Sequence, residues 1–376
     1  MFIYIRDLNK YGACQILEIV NLIRQLDWRI IFMKIAFYDA KPYDRVWFDE
    51  YVIEYGYKIK YIESRLSLET AILAKGYDAV CVFVNDTVDK DVIDELSEMG
   101  VKVVLLRCAG FNNVDFESAY KKLHVMRVPA YSPFAVAEYA CALLLSVNRK
   151  THRAYARTRD YNFNINGLVG MDLHGKTAGV IGTGRIGRIM IDILHGFGMK
   201  VLAYDLFPAK DTDFEYVTLD EIWKQSDIIS LHCPLTPETT HIVNEDAFEK
   251  MKNEAILINT SRGALIDTAA LIEAVKNRKI GGVGLDVYEE EDDYFFEDRS
   301  NDILTDESLV RLMSFPNVLV TSHQAFFTKE AMQAIARTTL DNLQRFERSD
   351  FLLNEICYQC EDKGSCEREK NHVNCF

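Results

Sequence analysis

Short apolar runs and amphipathic stretches alternate along almost the whole chain. Residues 34–38, 79–83 and 102–106 are β-rich runs, and residues 44–55, 89–99 and 115–123 between or after them carry helical spacing. A second series of β-rich runs begins at 177–181 and continues through 201–204, 228–232, 255–259, 283–286 and 318–321. Helical patterns such as 186–197 and 269–276 separate several of them. This alternation predicts an α/β protein with parallel sheets, because parallel strands need crossover connections and helices usually supply them.

Residues 132–159 have no strand signal and open on Ser132-Pro133, a helix-start signature. They predict one long helix linking two α/β units, with a tail helix over 329–345 as a second crossing. At 376 residues the chain exceeds what one hydrophobic core usually holds, which also favours two domains. The expected division is 33–131 with 328–376 as one domain and 132–327 as the other. Residues 1–32 form an extension, read first as a misassigned translation start and second as a real oligomer-contacting or mobile extension.

Composition narrows the function classes. A net charge of −14 argues against a nucleic-acid surface, which needs a basic patch. No apolar run reaches the roughly 18 to 20 residues that cross a bilayer. Charges at Arg6, Asp7, Lys10, Glu18, Arg24 and Asp27 interrupt the apolar positions near the start, so no secretory signal is expected there. The expectation is a cytoplasmic protein without membrane contact. Cys14, Cys81, Cys108, Cys141 and Cys233 then read as free thiols. Cys357, Cys360, Cys366, His372 and Cys375 have metal-ligand types near the end, but their spacing fits no standard zinc motif, and no metal is expected.

The clearest local motif is Gly182-Thr183-Gly184-Arg185-Ile186-Gly187, which follows an apolar strand and opens an amphipathic helix. Glycines there permit a tight turn and close approach of backbone to a pyrophosphate, and the helix N-terminus faces the phosphates. Asp205 ends the next strand, 18 residues after Gly187. A carboxylate at that place accepts hydrogen bonds from the adenosine ribose and repels a 2′-phosphate, so NAD is expected over NADP.

Three further polar residues lie just past apolar strands: Arg262 in Asn259-Thr260-Ser261-Arg262-Gly263, Glu291 in Asp286-Val287-Tyr288-Glu289-Glu290-Glu291, and His323 in Thr321-Ser322-His323-Gln324-Ala325. Ligands of doubly wound sheets bind at the carboxyl ends of strands. Arg262 offers a permanently charged fork for a substrate carboxylate and can polarise an adjacent keto oxygen. An imidazole titrates at roughly 6.5, so His323 can give and take a proton near neutrality. A carboxylate paired with it, such as Glu291, favours the imidazolium that ketone reduction requires.

Over roughly residues 33–348 the chain resembles the D-isomer-specific 2-hydroxyacid dehydrogenase family, and within it the bacterial fermentative D-lactate dehydrogenase branch. The likeness rests on Arg107-Cys108-Ala109-Gly110-Phe111-Asn112-Asn113, Tyr131-Ser132-Pro133, the glycine loop, His232-Cys233-Pro234-Leu235-Thr236, residues 259–263, Asp286-x-Tyr288-Glu289-x-Glu291 and residues 323–327. The stretch 294–302 resembles the lactate branch in particular. The resemblance implies two Rossmann-like doubly wound domains, a dinucleotide-binding domain inserted into a flavodoxin-like substrate domain. It implies NAD as cofactor, a small 2-oxo or 2-hydroxy acid as substrate, and a homo-oligomer, dimer or tetramer. Arg262, Glu291 and His323 take the family's catalytic roles. Ala109 and Gly110 match its carboxylate-binding loop, Tyr131 its hinge, and Phe326 the aromatic wall of its side-chain pocket. Cys233, Pro234, Thr239, Thr260, Ser261 and Asp286 join the glycine loop and Asp205 in the cofactor site, with Thr260 and Asp286 toward the nicotinamide end. Pyruvate and D-lactate are the expected substrate pair. The alternatives are larger D-2-hydroxy acids, or a NAD-sensing corepressor-like binding protein.

Overall fold

The computed structural model describes residues 33–291, 294–358 and 374. The chain begins β1 (Lys34–Phe37), α1 (Pro42–Tyr55), β2 (Lys58–Tyr61), β3 (Ala79–Val82), α2 (Lys90–Glu98), β4 (Val103–Leu106), α3 (Phe116–Ala119) and β5 (His124–Arg127). It continues α4 (Pro133–Arg149), α5 (Thr151–Arg159), β6 (Thr177–Ile181), α6 (Arg185–Gly196), β7 (Lys200–Tyr204), β8 (Glu215–Tyr216), α7 (Leu219–Gln225) and β9 (Ile228–Leu231). Last come α8 (Glu245–Lys250), β10 (Ile256–Asn259), α9 (Thr268–Lys276), β11 (Gly282–Leu285), α10 (Glu307–Ser314), β12 (Val318–Val320), α11 (Lys329–Glu347) and β13 (Glu355–Ile356).

Two compact units divide the chain at 127/128 and 336/337, against the 131/132 and 327/328 read from the sequence. Tyr131 therefore belongs to the second unit, and α11 begins in one unit and ends in the other. The single helix expected over 132–159 is two helices, both inside the second unit. Ser132 caps α4 by accepting a hydrogen bond from the backbone N–H of Ala135, and Pro133 occupies its first turn. Lys150 then takes a left-handed φ of 52°, which ends α4 and starts α5. Apolar periodicity carries no mark of such a break. The helix expected over 115–123 is a single turn, ended at Tyr120, which leaves the helical region.

In the first unit the sheet order is β13-β5-β4-β3-β1-β2, and only β13 runs antiparallel to its neighbour. The five parallel strands give the flavodoxin-like order 2-1-3-4-5. β3 and β4 read Ala-Val-Cys-Val and Val-Val-Leu-Leu and are buried throughout, as strands of a parallel sheet covered on both faces are.

In the second unit seven strands run parallel in the order β12-β11-β10-β9-β6-β7-β8, the Rossmann arrangement with its switch point between β6 and β9. Alternate strand residues feed two separate apolar layers. Leu202, Ile229, Leu231 and Leu257 pack with Leu271 and Val275 of α9 and with Leu309 and Leu312 of α10. Val201, Ala203, Ile228, Ile256 and Ile258 pack with Leu143 and Leu144 of α4 and with Met190, Ile191 and Leu194 of α6. This period-two division is what helices on both faces of one sheet require.

Candidate active site

The glycine loop joins β6 to α6, with Gly184 as the helix N-cap. A Cβ on Gly187 would lie 1.9 Å from the carbonyl oxygen of Gly182, so the loop closes in this form only with glycine there. Above Gly184 a Cβ would meet nothing within 4 Å. Open space thus faces a helix N-terminus whose first N–H groups lack helical partners, the setting a phosphate needs. Arg185 is exposed and Ile186 half-buried in the first turn that follows.

Asp205 lies just past β7 and accepts three hydrogen bonds. Its Oδ2 takes the Thr183 backbone N–H at 2.7 Å and the Thr183 hydroxyl at 3.0 Å, and its Oδ1 takes Phe207 N–H at 2.9 Å. Desolvation pushes this carboxyl up, but the bonds from Phe207 and Thr183 outweigh it and hold the group below the usual carboxylate range. Asp205 is therefore negative at neutral pH. Its charge sits beside the glycine loop, where it disfavours a 2′-phosphate. The ratio of kcat/KM for NADH over NADPH is expected to be on the order of 10² or more, because like-charge juxtaposition costs several kcal/mol. Asp205→Ser should bring it down toward one. A wild-type ratio at or below one would remove the role given to Asp205.

Asn259, fully buried at the end of β10, shapes the loop that presents Arg262. Its Nδ2 donates to the Arg262 carbonyl at 2.8 Å, and its Oδ1 accepts from Ser261 N–H at 3.0 Å. Ser261 Oγ donates to the Cys233 carbonyl at 2.6 Å, and Thr239 Oγ1 donates to the Pro234 carbonyl at 2.7 Å. Ser261 and Thr239 thus brace the Cys233-Pro234 turn after β9. Arg262 is half-buried, and its Nη1 donates to the Ser261 carbonyl at 2.7 Å. Gly263 lies so close to Tyr288 that a Cβ would be 2.0 Å from the Tyr288 carbonyl carbon. The Arg262 loop therefore packs directly on the backbone leading to Glu291.

His323 follows β12 with a left-handed φ of 52°. Asp286 holds that turn. Its carbonyl accepts from His323 N–H at 2.7 Å. Its Oδ1 accepts from the Thr321 hydroxyl at 2.6 Å and Gln324 N–H at 3.0 Å, and its Oδ2 from Ala325 N–H at 2.7 Å. Burial pushes the Asp286 carboxyl up despite these bonds. The sequence reading sets Asp286 toward a nicotinamide ring; its visible work is to fix the segment carrying His323.

The imidazole Nδ1 of His323 lies 2.6 Å from Glu291 Oε1, and Glu291 Oε2 accepts from Tyr288 N–H at 2.9 Å. With Nδ1 engaged, Nε2 is the nitrogen left to exchange a proton. Phe296, from the 294–302 stretch, tilts over the imidazole with ring centroids 5.7 Å apart. Tyr131 and Phe326 meet edge to face at 6.0 Å. A second histidine, His232, is pushed down to about 4 by desolvation and stays neutral, with Nε2 2.8 Å from Ser230 Oγ. It is unsuited to proton transfer near neutrality.

Ala109 and Gly110 follow β4 in the first unit. Arg127 Nη1 donates to the Ala109 carbonyl at 2.9 Å, its guanidinium lying 4.9 Å from the Phe111 ring centre, and Cys108 Sγ donates to the Gly110 carbonyl at 3.2 Å. In a trans peptide the N–H points opposite to the preceding C=O. Fastening both carbonyls turns the N–H groups of Gly110 and Phe111 the other way, and neither has an acceptor among the described residues.

The residues present fit NAD. The glycine loop leaves backbone room for a pyrophosphate, Asp205 supplies a carboxylate for a ribose, and the buried Thr260 Oγ1 has no partner among the described residues. No cluster suited to a metal ion and no helix long and apolar enough to cross a membrane occurs among the described residues. Cys360, Cys366, His372 and Cys375 lie outside the described residues.

Sequence reasoning named the glycine loop, Asp205 and the Arg262, Glu291 and His323 set, and the structure brings these together within one unit. It gave no part to Asn259. The signal was present, since an Asn two residues before a Ser at a strand end is a turn in which the side chain takes up a backbone N–H.

Comparison with known proteins identifies the family. Residues 141–325 match the model of the D-isomer specific 2-hydroxyacid dehydrogenase NAD binding domain. The chain is 52% identical to D-lactate dehydrogenase of Escherichia coli over 86% of this chain and 100% of that one. It is 51% identical to 2-hydroxyacid dehydrogenase homolog 1 of Schizosaccharomyces pombe over 84% of this chain and 96% of that one. The apo-structure of D-lactate dehydrogenase from Escherichia coli superposes with a TM-score of 0.80, covering 86% of this chain and all of that one at 48% identity. The chain belongs to the D-isomer specific 2-hydroxyacid dehydrogenase family and is a NAD-dependent oxidoreductase.

Proposed function

We propose that this chain reduces pyruvate to D-lactate with NADH and catalyses the reverse. The observation that carries the reading is the 2.6 Å pair of His323 Nδ1 and Glu291 Oε1, set at strand ends beside the Arg262 loop in the sheet that also carries the glycine loop. Arg262 binds the substrate carboxylate and polarises the keto oxygen. His323, oriented through Nδ1 by Glu291, gives its Nε2 proton to the keto oxygen, and in the reverse direction takes it back. NADH, when bound, supplies the hydride for the keto carbon. The aromatic pair Tyr131 and Phe326 favours a substrate side chain as small as a methyl group. A panel of 2-oxo acids with NADH tests the reading, with pyruvate expected to give the highest kcat/KM. A branched-chain 2-oxo acid above pyruvate would move the assignment to larger hydroxy acids. Turnover of none would leave a NAD-binding protein without this activity.

The working form is proposed to be a homo-oligomer. Helix α5 buries none of its residues, and the chain nearby exposes Tyr161 at 86%, Phe163 at 74% and Val169 at 83%. An apolar patch of this kind fits burial against a second copy. Replacing Tyr161 and Phe163 together by Glu should shift the sedimenting species to the monomer. An unchanged mass would exclude this surface. Cys81, Cys141 and Cys233 are free thiols, as suits the reducing cytoplasm in which we place the enzyme.

A further inference from the structure

The second unit holds another histidine–carboxylate pair. His241 Nε2 lies 2.5 Å from Glu289 Oε1. The other oxygen of Glu289 accepts from the Thr268 hydroxyl at 2.8 Å and from Thr268 N–H at 3.4 Å. One carboxylate therefore joins three pieces of chain: the segment after β9, the start of α9, and the turn after β11.

Those three pieces enclose the loop carrying Arg262. His241 N–H donates to the Ala264 carbonyl at 2.8 Å, Val243 N–H to the Leu265 carbonyl at 3.0 Å, and Asp267 N–H back to the Val243 carbonyl at 3.0 Å. On its other side the loop rests through Gly263 on the backbone of Tyr288 and Glu289. Tyr288 N–H holds Glu291 Oε2. Arg262 and Glu291 are thus presented by two backbone segments that touch at Gly263, and Glu289 is the side chain that pins both to the 241–243 segment. His241 itself sits at a left-handed φ of 52°, which aims its ring from a tight turn.

We propose that His241 and Glu289 are positioning residues that fix Arg262 relative to Glu291 and His323. The inference rests on the proposed reduction of 2-oxo acids. Neither residue takes part in the chemistry. Each sets where the guanidinium lies, and displacement of a substrate-holding group by about 1 Å can cost on the order of 10²-fold in rate.

The test uses the full-length chain with NADH and pyruvate, with oxamate as a non-reacting carboxylate probe of the NADH complex. Glu289→Ala and His241→Ala should each raise KM for pyruvate and Kd for oxamate by roughly 10-fold or more, with KM for NADH changed less than about twofold. His241→Gln, which keeps a side-chain N–H donor, should recover most of the loss. A variant that merely folds less well lowers the active fraction and leaves both KM values in place. Unchanged pyruvate KM and oxamate Kd in the alanine variants, or pyruvate and NADH constants rising together, would overturn the inference while leaving an active wild type and the proposed function intact. A wild type that turns over no 2-oxo acid removes the proposed function and this inference with it.

Discussion

His323→Asn is expected to lower the rate of pyruvate reduction by on the order of 10² to 10⁴, the usual contribution of a positioned general acid. Asparagine is the informative choice because His323 sits at φ 52°, a region that Asn tolerates better than most residues. Backbone strain is then a small part of the result. The loss should fall on kcat, since proton delivery matters in the transition state, and NADH affinity should hold. Glu291→Gln keeps nearly the same shape 2.6 Å from Nδ1 and removes the charge. A neutral amide makes a weaker hydrogen bond to the ring than a carboxylate does, so the imidazole should be oriented less firmly and kcat should fall roughly 10-fold. Rates at saturating pyruvate and NADH decide the matter. A Glu291→Gln enzyme with wild-type kcat would remove Glu291 as the residue that orients the ring, and a His323→Asn enzyme within about threefold of wild type would remove His323 as the proton donor.

The parts of this fold that announce themselves in sequence are those with a local physical cause. Buried parallel strands are continuous apolar runs, so β3, β4, β6, β9, β10 and β11 are visible directly. The glycine loop is visible because a Cβ at Gly187 would strike the Gly182 carbonyl. Edge strands are another matter. β2 alternates exposed and half-buried residues, and β8 and β13 span two residues each, too few for any period to register. The break at Lys150 is equally silent, because a lysine in the left-handed region is set by its surroundings and not by its type. In the site, Arg262, Glu291 and His323 are legible as polar residues following apolar strands. The supports of these residues are long-range: Asp286 reaches 321–325, and His241 meets Glu289 across 48 positions of sequence. No spacing rule links such residues, so only folding brings them into view.

Arg262 is the residue whose loss should most damage the grip on substrate. Replacing it by Met removes a permanent charge and the fork that matches a carboxylate, while keeping an unbranched apolar stem. Truncating one partner of a buried, hydrogen-bonded charge pair costs roughly 2 to 5 kcal/mol, so kcat/KM for pyruvate should fall about 30- to 5,000-fold. Both constants should move. Carboxylate binding is present in ground and transition states alike, which raises KM; polarisation of the keto oxygen grows in the transition state, which lowers kcat. Arg262→Lys separates the two contributions. It keeps the charge on a compact ammonium and loses the planar pair of donors, so it should fall between the wild type and the Met variant, nearer the latter if bidentate geometry dominates. NADH binding, followed by fluorescence titration, should be nearly unaffected because the glycine loop and Asp205 are left in place. Melting temperature should also hold, since Arg262 is half-buried and its side-chain hydrogen bond runs to the carbonyl of the neighbouring Ser261. A Met variant with wild-type KM for pyruvate would show that another group holds the carboxylate.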